Sequence, residues 1–135
     1  MRTYLIALCI ALPISIALDA SWIGVIASGF YQLQFGTFFQ SHPVLWAAGL
    51  FYVLYALALT FFVIRPALVE GSVASAFIRG ALFGFTAYMT YDLTNITTLA
   101  NWPVFGAFID TLWGALMTAL TAGLTYLIAT KVVRM

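Results

Sequence analysis

The chain has 135 residues, 64% of them hydrophobic, with five basic and four acidic side chains. A soluble domain carries about a quarter charged residues, so nine charged groups exclude a water-facing surface and leave one integral membrane domain. The net charge of +1 excludes a nucleic-acid partner.

Crossing ~30 Å of hydrocarbon takes roughly 20 apolar residues in a helix. Four runs qualify, at about 4–26, 44–64, 74–96 and 104–129, and predict an all-α, four-helix membrane bundle as a single domain. The first begins after Arg2. It also carries Ser15 and Ala17 at signal-peptide cleavage spacing, a reading we weigh below that of a first span.

In residues 27–43, Tyr31, Phe35, Phe38 and Phe39 recur at helical spacing with Gln32, Gln34 and Gln40 between them. That fits a short amphipathic helix at the membrane interface. A loop with aromatic anchors at headgroup level fits equally. Pro43, after Ser41 and His42, is placed to start the second span in its first turn. Arg65 and Pro66 are placed to end it. Ser72 is placed to N-cap the third span, and Asn101, Trp102 and Pro103 to open the fourth.

Lys and Arg set the orientation. Arg2, Arg65, Arg79, Lys131 and Arg134 all belong to one end of the bundle, whereas the connections at about 27–43 and 97–103 carry no basic residue. The positive-inside rule assigns the basic end, and both termini, to the cytoplasm. Arg79 lies slightly inside its span and snorkels to that surface.

Asp19, in IALDASWIG, is the first of three acidic residues set in apolar spans, with Asp92 and Asp110. Each belongs to a different span and falls in the outer half. Below each aspartate, at steps of four, run mostly small residues: Ser15, Ala11 and Ala7; Tyr88, then Gly84, Gly80 and Ala76; Gly114, Thr118 and Ala122. Such stripes let transmembrane helices approach closely, so spans one, three and four are predicted to meet along them with the aspartates facing inward. A midplane charge costs ~2.5–3.5 kcal/mol on insertion scales, and no basic residue in the outer half offsets it. Either protons neutralise the carboxylates or a cationic ligand does. The expected site is Asp19, Asp92 and Asp110 in one polar pocket, with Asn95 and Thr94 adding hydrogen bonds. Trp22 and Trp113, repeated as Asp-x-x-Trp, would supply apolar walls, N–H donors and cation–π attraction. Simple helix-joining by hydrogen bonds to neighbouring hydroxyls and amides is the plainer alternative.

Lone Cys9 and lone His42 exclude an internal disulfide, cysteine-based metal sites and multi-histidine centres within one chain. No phosphate loop, nucleophile elbow or helical His-Glu metal motif occurs. The sequence therefore designates no catalytic residue, and leaves metal and cofactor unassigned.

YDLTNITTLANWP (91–103) and DTLWG (110–114), with the Asp-x-x-Trp of span one and the four-span layout, resemble the signature of a bacterial family. These are small four-span membrane proteins, domain-of-unknown-function family 2177. The resemblance covers nearly the whole chain and implies the bacterial inner membrane, but no activity. Asp19, Asp92, Thr94, Asn95, Asp110, Trp113 and Gly114 fall in the stretches that carry it. Three functions stay open: an outward-facing site for a proton, a cation or a small polar ligand, with translocation requiring a homo-oligomer; an accessory subunit of a larger membrane enzyme or pigment complex; and, weakest, a lipid- or isoprenoid-modifying enzyme.

Overall fold

The computed structural model describes residues 1–134, which form six α-helices and no strand. Helix α1 (Arg2–Ser21) runs on through a π-wound turn, Trp22–Ile26, in which the Ala27 N–H reaches back five residues to the Trp22 carbonyl, 2.7 Å. Helix α2 (Ser28–Phe35) and a 3₁₀ turn (Gly36–Phe38) fill the first connection. Helix α3 (Leu45–Leu59), a second π turn (Thr60–Ile64) and α4 (Arg65–Glu70) make one continuous rod. Helices α5 (Val73–Thr98) and α6 (Val104–Arg134) complete a four-helix bundle. The rods Arg2–Ile26, Leu45–Glu70 and Val104–Arg134 are long and apolar enough to cross a membrane. Helix α5 has 26 residues, but Arg79, Asp92 and several threonines make it more polar.

Two sequence expectations about the second rod change. It starts at Leu45 behind an extended Val44 that offers no side-chain cap, not at Pro43. Nor do Arg65 and Pro66 end it. The Arg65 N–H bonds the Thr60 carbonyl five residues back, so a wide turn precedes the proline. Pro66 then occupies the first turn of α4, the position where a helix tolerates proline. The rod stops instead at Gly71, whose φ of 68° is the left-handed stop that glycine adopts cheaply. Ser72 caps α5 as expected, its Oγ accepting the Ser75 N–H at 3.1 Å.

Helix α6 is the axis of the bundle and buries more of its residues than any other helix. Helix α5 packs along it and α1 packs on another side. The small-residue stripes are the contact lines. Ala7, Ala11, Ser15, Ala76, Thr118 and Ala122 are at most 2% exposed, and Gly80, Gly84 and Gly114 are buried with them. A Cβ on Gly84 would land on the Gly114 carbonyl, and one on Gly114 would land in the Tyr88 ring. Because lipid is as apolar as leucine, this closeness of backbones, not exclusion from water, holds the helices together. Toward the basic end the core closes with Leu59, Ile64, Ala67, Tyr126 and Ala129. There the Arg65 guanidinium lies over the Tyr4 ring, 5.2 Å from its centroid, and Arg79 pairs with Glu70 at 2.7 Å.

At the opposite end α2 is a helix, as one of the two sequence readings had it. Its Tyr31 and Phe35 are buried, however, and pack with Ala27 against Trp22, Phe30 and Trp102. The aromatic face of α2 thus caps the bundle.

Candidate functional site

The carboxyl groups of α1, α5 and α6 meet beneath that cap. Asp19 is 4% exposed, Asp92 0% and Asp110 8%. A carboxyl group in such a place must find donors, and aromatic side chains supply most of them. Asp19 accepts the Trp113 indole N–H at Oδ1, 2.9 Å, and the Tyr52 hydroxyl at Oδ2, 2.6 Å. Asp92 accepts the Trp102 N–H at Oδ1 and the Thr111 hydroxyl at Oδ2, each at 3.3 Å. Asp110 accepts the Tyr31 hydroxyl at Oδ1, 2.8 Å, and is neighbour to Asp92 through Thr111, the next residue in α6, which bonds Asp92. Burial, reinforced by Asp110, pushes the Tyr31 phenol above its ordinary range, so it stays a donor.

The two repeated tryptophans join these groups. Their rings stack with centroids 4.7 Å apart and planes 10° from parallel. Trp113 donates to Asp19, and Trp22 donates to the Tyr31 hydroxyl at 3.2 Å. Each indole therefore serves the carboxyl group of the other motif, Trp22 through Tyr31. Neither indole bonds the aspartate of its own Asp-x-x-Trp, because α1 and α6 run antiparallel and cross so that one tryptophan overlies the other. Trp113→Phe keeps a ring against Trp22 but leaves Asp19 one donor short. Thermal unfolding in detergent should show a loss of about 1–3 kcal/mol. An unchanged midpoint would mean that Asp19 does not depend on that bond.

A cavity of about 480 Å³ opens beside this network. Asp19 and Asp110 line it, with Tyr31, Phe35 and Phe39 from the cap region and Phe51 and Tyr55 from α3. Tyr88 and Tyr91 of α5 and Trp102 add to the wall, and Ile23 and Ala87 complete it. No Lys, Arg or His lines it. Asp19 has both oxygens engaged by protein donors, whereas Asp110 accepts one donor and keeps acceptor capacity beside the cavity. Among the described residues no three His, Cys, Asp or Glu side chains stand close enough to hold a metal ion. The arrangement is a carboxyl pair with a third carboxyl group to one side.

With the geometry in view, the comparisons assign a family. The model of the predicted membrane proteins of domain-of-unknown-function family 2177 (DUF2177) matches residues 4–127. The chain belongs to DUF2177. No curated protein and no solved structure matches it.

In this DUF2177 chain the sequence-predicted site residues separate into two groups. Asp19, Asp92, Asp110, Trp22 and Trp113 come together. Thr94 is exposed and its hydroxyl returns to the Thr90 carbonyl, 2.7 Å. Asn95 is half-buried. Neither lines the cavity, and of the first group only Asp19 and Asp110 do: Asp92, Trp22 and Trp113 stand behind its wall in the hydrogen-bond network, not in one shared pocket as expected. Tyr31, Tyr52, Tyr55, Tyr88 and Trp102 were not singled out as site residues from the sequence. Their signal was present as Tyr52 and Tyr55, and Tyr88 and Tyr91, each pair sharing a helix face within an apolar span.

Proposed function

We propose that this protein binds a small organic cation in the capped end of the bundle, with Asp110 as the group that meets the charge and the surrounding rings as its walls. One observation carries the reading: the cavity is walled by eight aromatic residues and two carboxyl groups, with no basic side chain. Ring faces attract a cation within about 6 Å of the centroid, more strongly when water is excluded. Asp110 supplies the neutralising charge that the aromatic walls lack. Asp19, Asp92, Trp22 and Trp113 act through the network that holds Asp110 and Tyr31 in place. The core toward the basic end, closed by Leu59, Ile64 and Met117, favours binding over translocation through a single chain.

Titrating the purified protein with tetramethylammonium tests this. Trp102 lines the cavity, so saturable change in indole fluorescence is expected, and Asp110→Asn should abolish it. No saturable binding of quaternary or primary ammonium ions to the folded wild-type protein would overturn the reading.

Sidedness follows from the basic residues. The cavity lies at the end away from Arg2, Arg65, Arg79, Lys131 and Arg134, and we assign it to the outer face of the cytoplasmic membrane, with both termini inside. Reporter fusions to the C-terminus and within residues 99–103 should report cytoplasm and exterior respectively. The reverse pattern would turn the cavity to the cytoplasm.

A further inference from the structure

We propose that the cation is the head of a single-tailed amphiphile, which enters sideways from the bilayer between α3 and α5 and leaves its tail in a groove on α5. This rests on the cation-binding reading of the cavity and goes further in assigning an apolar tail and a route.

The opening is visible in how α3 is held. Its first ten residues stand largely clear of the bundle, with Leu45 77%, Trp46 75%, Leu50 52% and Leu54 56% exposed. It meets α5 through Tyr55, which lies 5.5 Å from Phe83 and 6.3 Å from Tyr88 between ring centroids, with the Tyr55 hydroxyl pinned to Thr118 at 2.7 Å. Phe51 on α3 and Tyr91 on α5 then border the cavity from opposite sides of the gap, and both are exposed.

A groove continues from that gap along the lipid-facing side of α5. Phe62 and Val63 of the π turn form one wall, and Leu82, Phe83 and Thr86 form the other. Ala87 belongs to both cavity and groove, so the two share a wall at a side chain too small to divide them. From Ala87 the groove runs toward Arg79, eight residues or about 12 Å of helix. That is the reach of a medium-length alkyl chain. The chemistry is complementary along its length: carboxyl groups and rings at one end for a cationic head, and beyond them Phe62, Val63, Leu82 and Phe83 for a tail, with Thr86 and Thr90 among the lining and Arg79 at the far end. A tail left in bilayer contact loses nothing on binding, because the groove is no more apolar than lipid. The bilayer also concentrates such a ligand, more strongly with each methylene it buries.

The experiment uses the full chain in lipid nanodiscs and dodecyltrimethylammonium carrying a photoreactive diazirine midway along its tail. Crosslinks should concentrate at Phe62, Leu82 and Thr86, and excess tetramethylammonium should suppress them. Thr86→Phe and Leu82→Trp, which fill the groove at lipid-facing positions outside the cavity, should lose most of those crosslinks while binding tetramethylammonium as the wild type does. If tetramethylammonium binds but crosslinks scatter over the lipid-facing surface without competition, the lateral route is wrong and the cation site stands. If neither cation binds the folded protein, both fall.

Discussion

Gly84→Leu is expected to prevent stable assembly of the bundle. At Gly84 the backbones of α5 and α6 approach so closely that an added Cβ would meet the Gly114 carbonyl and the Thr118 side chain. Backbone atoms cannot rotate aside as a flexible side chain can, and leucine brings three further carbons. Overpacking of this kind costs about 1–3 kcal/mol or more. Here it acts on the longest interface of the fold, and the displaced helices carry Asp92 and Asp110. Thermal denaturation in detergent should show a much lowered midpoint or aggregation. Leu82→Ala, at a lipid-facing position of the same helix (63% exposed), should change little. A Gly84→Leu variant as stable as the wild type would mean that α5 and α6 do not cross there.

Asp92→Asn is expected to leave the fold nearly intact and to remove the pH dependence of cation binding. Asp92 and Asp110 are both buried and no basic side chain lines the cavity beside them, so they cannot both ionise cheaply and the pair is expected to hold a proton. A cation that settles on Asp110 replaces that proton, and its release makes binding tighter as pH rises. Where one full proton is released the linkage is about tenfold per pH unit. Tyr31 is not the source, since burial beside Asp110 holds its phenol protonated. An asparagine at 92 donates an amide N–H to Asp110 in place of the shared proton, and it can still accept from Trp102 or Thr111 through its carbonyl oxygen. Titrations of wild type and variant between pH 6 and 8, roughly the range around neutrality, check this. Binding by the wild type that is flat with pH would remove the shared proton from the account.

The bundle was legible because its signals are local and periodic. Ala7, Ala11 and Ser15, or Gly114, Thr118 and Ala122, recur at the helical step, and a lone carboxylate in an apolar run must face inward wherever its helix packs. What stayed hidden depends on how the helices sit against one another. The crossing of α1 and α6 decides which carboxyl group each tryptophan reaches, and no residue spacing encodes it. The continuation of the second rod past Pro66 rests on a single widened turn, which proline usually precludes. Thr94 was drawn toward the site by its nearness to Asp92 in sequence. Two residues along a helix is a rotation of about 200°, which aims its side chain away. A tyrosine in or near a membrane span is ordinary at interfaces, so the sequence alone gives Tyr52 on α3 and Tyr31 on α2 no inward role. Only the fold shows that their hydroxyls point inward.

The claim that the cavity holds an organic cation can be tested by locating one. A crystal of the protein grown with tetramethylarsonium, whose arsenic scatters anomalously, should show a single strong anomalous peak in the cavity, beside Asp110 and within about 6 Å of the Tyr88 or Trp102 ring centroid. The same crystals of Asp110→Asn should lack it. A cavity filled by solvent or lipid in the wild-type crystals, with arsenic elsewhere or nowhere, would contradict the account.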